Sequence, residues 1–133
     1  MTGTPDLKCA AVLFAAADRG LMTVRSMTAD APIESIGFHL QQAAEKGMKA
    51  WLAALGETYP LTHNLGTLLG LLSDRGVAVE LFEGLADLTP YAVEFRYEAA
   101  PDDADGIEMD DASALVKALL SEVRGLLGVS DQD

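Results

Sequence analysis

The sequence predicts an all-α protein, an antiparallel up-and-down bundle of four to five helices built as one domain over residues 1–133. Three observations carry this. The chain is 50% hydrophobic but only 6% aromatic, with Ala and Leu dominant and β-branched residues scarce, a mixture that favours helices over strands. Apolar residues recur in steps of three and four along most of the chain, the period of a buried helix face. Between these runs fall Pro, Gly and short polar residues at the places where helices start and stop. A chain of 133 residues encloses a contiguous core without staples and leaves no room for a second domain.

Thr4-Pro5-Asp6 has the form of a helix start, with Thr4 as N-cap, Pro5 at the first helical position and an acid where the dipole favours it. Leu7, Ala10, Phe14, Ala17, Leu21 and Val24 follow, so the first helix runs to about Met27. Gly20 inside it costs about 1 kcal/mol relative to Ala and points to a bend or a close helix contact. Cys9 lies one step off the stripe with no His or Lys beside it to activate a thiolate, and is expected to be a small packing residue.

Asp30-Ala31-Pro32 ends the first helix and opens the second, which continues to about Leu55 and stops at Gly56, a natural residue for a left-handed C-terminal cap. Its stripe is Ile33, Gly37, Leu40, Ala44, Gly47/Met48, Trp51 and Leu55. This is the longest helical pattern and the expected centre of the bundle. A second row, His39, Gln42 and Lys46, is spaced by three and four and so stacks on one face.

Tyr59-Pro60-Leu61 is a turn, and Thr62 is the expected cap of a shorter third helix carrying Leu65, Leu68/Leu69 and Leu72 up to the break at Asp74-Arg75-Gly76. The fourth covers about Val79 to Tyr97, with Leu81/Phe82, Leu85, Leu88, Ala92 and Phe95 apolar; Pro90 removes a backbone hydrogen bond in mid-pattern and should kink or divide it. The last helix starts near Glu108, with Asp110 and Asp111 in its first turn, and buries Leu115, Leu119, Val123 and Leu126 before Gly128 and an acidic tail.

Several chemistries are excluded by residue count. A net charge of −12, from 9 Lys+Arg against 21 Asp+Glu, speaks against nonspecific nucleic-acid binding, which draws its affinity from cations on phosphates. No apolar run reaches the roughly 18 residues a membrane span needs. One cysteine and no signal-peptide pattern lead to the expectation of a cytoplasmic protein. Pro101-Asp102-Asp103-Ala104-Asp105-Gly106 suggests a calcium loop. Aligning Gly106 with the sixth position, however, puts Pro101 and Ala112 where the essential first and last ligands belong. A di-metal bundle needs paired Glu-x-x-His motifs, and neither Glu34 nor Glu45 has a His at that offset. There is no nucleophile elbow and no glycine-rich phosphate loop. No catalytic residue, metal or cofactor is therefore expected.

Phe38-His39-x-Gln41-Gln42-Ala43-Ala44-Glu45-Lys46, then Gly56, Pro60-Leu61-Thr62-His63-Asn64-Leu65 and finally Phe95-Arg96-Tyr97 resemble the signature of the HEPN domain family, the higher eukaryote and prokaryote nucleotide-binding helical domains. The resemblance spans nearly the whole chain in order. It implies a helical bundle in a small bacterial or archaeal protein that often dimerises. Such proteins work beside a minimal nucleotidyltransferase, as a nucleotide- or substrate-binding partner or as half of a toxin–antitoxin pair. Ribonuclease members carry an Arg followed four to six residues later by a His. Here Arg96 has no histidine downstream, which marks a non-ribonuclease type. Glu98 stands where the family usually has Pro, and Asn64 where it usually has Asp.

The expected site is then a polar groove for a nucleotide or other anion, lined by His39, Gln42 and Lys46 of helix two, His63 at the opening of helix three and Arg96 near the end of helix four. Lys46 and Arg96 would supply charge, and the free N–H groups of a helix start would favour a phosphate. The competing readings are a ribonuclease with a degenerate site, a purely protein–protein bundle, and a bland one in which His39, Gln42 and Lys46 form a solvated helix face while His63 and Arg96 merely pair with carboxylates and cap helix ends.

Overall fold

The computed structural model describes residues 4–28, 30–92 and 108–128. Within them the chain folds as an all-helical up-and-down bundle. Four α-helices, α1 (Leu7–Arg25), α2 (Ile33–Ala54), α3 (Leu65–Asp74) and α4 (Met109–Leu127), are joined by a 3₁₀ segment, Glu80–Ala92, between α3 and α4. Among the described residues, α2 alone touches all four other elements. Its sequence meets that demand with burial well beyond one stripe: Leu40, Ala43, Ala44, Met48, Ala50, Trp51, Leu52 and Ala53 are all buried.

Helix α1 runs antiparallel to α2. The Asp6 N–H donates to Ala53 O near the far end of α2, and Gly20 lies against Ala43. Gly20 thus serves a close helix contact, one of the two roles expected of it. The cap is Asp6 and not Thr4: its carboxylate accepts from the Cys9 N–H at 3.0 Å, the side-chain-to-third-residue bond of an N-cap, which leaves Pro5 just outside the helix. Ala10, Phe14, Ala17 and Leu21 are buried as expected, while Leu7 is exposed.

Helix α2 ends as its sequence indicates. Gly56 takes φ 79°, and the Glu57 N–H donates back to Leu52 O, a closure that a left-handed residue permits. Residues 57–64 then return along α2 until His63 reaches the level of Glu45. Asn64, not Thr62, caps α3, its Oδ1 accepting from the Thr67 N–H; the Thr62 hydroxyl instead accepts from the Asn64 N–H and tightens the turn. An Arg75–Glu57 ion pair of 2.7 Å ties the end of α3 to the end of α2.

Residues 93–97 of the segment expected as a fourth α-helix over about Val79 to Tyr97 lie outside the described residues; the described part, Glu80–Ala92, is a 3₁₀ run with Pro90 inside it. Its buried side chains are Phe82, Leu85, Leu88 and Tyr91, spaced by three throughout. Three residues per turn is the 3₁₀ period, so this winding alone lines all four up on one edge. Phe82 meets Trp51 edge-on at 6.3 Å, and Tyr91 covers Gly37. Phe95 and Arg96 lie outside the described residues.

Helix α4 packs on α1, α2 and the 3₁₀ segment. It buries Ala112, Val116, Leu119, Leu120 and Val123, so its inner face is rotated from the expected stripe, with Leu115 half-buried and Leu126 exposed. On this rotated face Leu119 and Leu120 both press on Gly47 of α2. Of the expected core, Phe14, Leu40, Trp51, Leu68, Leu85 and Leu119 are buried. No described helix is long and apolar enough to cross a membrane.

Candidate functional site

Two polar side chains of α2 are buried in the middle of this apolar helix: Gln41 is fully buried and Glu45 is 5% exposed. An ionised carboxylate in such a place is tolerated only with good partners, and Glu45 has three. Lys49, one turn on, donates to Oε2 at 2.8 Å. His63 Nδ1 lies 2.9 Å from Oε1, and Gln41 Nε2 donates to the same oxygen at 3.1 Å. Burial on its own would raise the Glu45 carboxyl. The hydrogen bonds from Lys49, His63 and Gln41, with the Lys49 charge, outweigh burial and hold it below the ordinary glutamate value.

The network extends in two directions. Gln41 Nε2 also donates to the backbone carbonyl of His63 at 3.0 Å, which pins the turn before α3 onto α2, and Gln42 Nε2 donates to Gln41 Oε1 at 2.7 Å. On the other side Lys49 Nζ sits 5.7 Å from the centre of the Tyr59 ring, and the Tyr59 hydroxyl lies 3.9 Å from Cys9 Sγ. Burial, then the neighbouring Cys9 and Asp6, push the Tyr59 phenol up. A cavity of about 360 Å³ opens beside this pair, lined by Asp6, Cys9, Glu57 and Tyr59 among others.

Gln42 and His63, two of the expected site residues, are thus brought together through Gln41 and Glu45. His63 sits in the turn, one residue before the α3 cap, with its side chain 64% exposed. His39 is half-buried on α2, its ring edge-on to Phe38 at 5.4 Å. Lys46 is half-buried and has no ion-pair or hydrogen-bond partner among the described residues. Arg96 lies outside them. Among the described residues no group of three or more His, Cys, Asp and Glu could hold a metal ion.

Sequence reasoning placed the site on His39, Gln42, Lys46, His63 and Arg96 and missed the neighbouring α2 row of buried Gln41 and Glu45 with half-buried Lys49. The signal was present in the four-residue spacing of that row, with Glu45 placed N-terminal to Lys49 in the favourable order. Chemically, the arrangement fixes one exposed imidazole against a buried carboxylate that Lys49 also holds.

No curated protein and no solved structure matches this chain. The model of the HEPN domain matches residues 10–126, a range that takes in α2, the Glu45–His63 contact and most of the described helices, and the chain therefore belongs to the HEPN domain family.

Proposed function

We propose that this chain is a nucleotide- or substrate-binding HEPN module, itself non-catalytic, that acts with a minimal nucleotidyltransferase or as one half of a toxin–antitoxin pair. The observation that carries the reading is Lys46. In a chain of net charge −12 it stands without a carboxylate partner among the described residues, on the α2 row that also bears His39 and Gln42. Unpaired cationic charge inside an acidic envelope is what an anionic ligand would need. The absence of a histidine after Arg96 favours binding over RNA cleavage. Exposed Val12, Met22, Leu61 and Leu81 offer apolar surface of the kind a second copy would cover, in keeping with a homodimer.

Calorimetric titration of ATP into the wild type, Lys46→Ala and Arg96→Ala tests the reading. Binding in the wild type that weakens in both variants is expected. No binding in the wild type would favour a protein–protein bundle, and RNA cleavage lost in His63→Ala would favour the ribonuclease reading.

A further inference from the structure

The hydrogen bonds around Glu45 have only one consistent polarity. The carboxylate oxygen Oε1 and the His63 carbonyl are both acceptors, and one atom of Gln41 lies 3.1 Å from the first and 3.0 Å from the second. That atom is therefore the amide nitrogen. Gln41 Oε1 is then an acceptor, so the Gln42 atom 2.7 Å from it is in turn the amide nitrogen, and the free end of Gln42 is its carbonyl oxygen. The same carboxylate oxygen faces His63 Nδ1 at 2.9 Å, so Nδ1 carries the hydrogen, and in the neutral form of the ring it is Nε2 that carries the lone pair. Neither Gln42 Oε1 nor His63 Nε2 has a partner among the described residues.

We propose that Glu45 and Gln41 are positioning residues which turn Gln42 and His63 into a pair of outward hydrogen-bond acceptors. Resting on the nucleotide-binding reading above, this makes the pair the subsite for a donor-bearing part of the ligand, while Lys46 meets its anionic part. A nucleotide carries suitable donors in two places, the ribose 2′ and 3′ hydroxyls and the exocyclic amino group of the base. A second phosphate would meet only acceptors here and be repelled. The buried members cannot reverse this polarity, because Gln41 and Glu45 are shut away from water and any flip leaves a buried donor or acceptor unmatched.

Titration of the full chain with ADP, 2′,3′-dideoxy-ADP and inosine diphosphate tests the proposal and separates the two sources. Affinity lower by roughly ten-fold or more for the dideoxy compound assigns the ribose, and for the inosine compound the base amino group. Equal affinity for all three overturns the subsite and leaves nucleotide binding standing. No binding of any overturns both. Gln42→Met, which keeps length and removes the acceptor, should abolish most of the discrimination; discrimination unchanged in that variant overturns the pair. A readout free of ligand is nitrogen-15 NMR of the His63 ring in the wild type. A hydrogen on Nδ1 is expected, and a hydrogen on Nε2 in the neutral ring overturns the polarity.

Discussion

His63 and Glu45 are 18 residues apart in sequence and 2.9 Å apart in space, Nδ1 to Oε1, so an exposed ring is anchored to a carboxylate inside the bundle. Removing the anchor leaves Gln41 and Lys49 partly stranded. Glu45→Ala is expected to destabilise the fold by about 3 kcal/mol, the cost of breaking a buried pair from one side. Glu45→Gln, which keeps the shape and one acceptor, should cost less. Urea denaturation of the three proteins measures both.

The same carboxylate predicts an acid limb. Its folded pKa lies below the ordinary value, so its contribution is fully present above the unfolded glutamate value of about 4.3. That contribution is lost as pH falls through the lower folded value. The stability gap between wild type and Glu45→Gln should therefore shrink on acidification below about pH 4.3, as read by denaturant midpoints across pH. A gap that widens below that value would reverse the assigned charge state.

Two glycines in close contacts should respond oppositely to alanine. A Cβ on Gly37 would fall 2.5 Å from the Tyr91 ring, whereas one on Gly20 would meet Ala43 Cβ at 3.5 Å, an ordinary contact. Gly37→Ala should destabilise by about 1–3 kcal/mol through overpacking. Gly20→Ala should be neutral or stabilising by up to about 1 kcal/mol from helix propensity. Thermal unfolding by circular dichroism distinguishes the signs.

Leu40 is fully buried on α2, and Trp51 is 7% exposed with its ring edge-on to Phe82. Truncating either to Ala should cost about 2–5 kcal/mol, visible as a lower denaturant midpoint with little change in slope. Near-neutral effects at both would mean that the inner face of α2 is misassigned.

The helices were legible because their apolar residues repeat at helical steps, and α2 was legible as the centre because it is the longest such pattern. Gln41 and Glu45 were not, because polar residues on an amphipathic helix ordinarily mark its wet side, and here they flank Leu40 and Ala44 indoors. The partner that makes Glu45 tolerable comes from a turn, not from a histidine at a helical offset, so a search along the helix could not find it. The caps were misread by two residues at Thr4 and Thr62 because Thr, Asp and Asn all fit an N-cap, and geometry alone chose Asp6 and Asn64. The 3₁₀ run was hidden because Leu81, Ala92 and Phe95 offered an equally regular α-helical stripe.

Phe82 and Tyr91 mark two points on α2, the first beside Trp51 and the second over Gly37, and the distance between those points explains the winding. Fourteen residue steps of α-helix, from Gly37 to Trp51, measure about 21 Å at 1.5 Å each. The nine steps from Phe82 to Tyr91 would span only about 14 Å as α-helix, but about 18 Å at the 2.0 Å rise of a 3₁₀ helix. The segment is wound tightly because it is short for the gap it has to bridge. Pitch here serves as a length adjustment: a few more residues between Phe82 and Tyr91 would relieve the stretch and let an ordinary α-helix reach both ends.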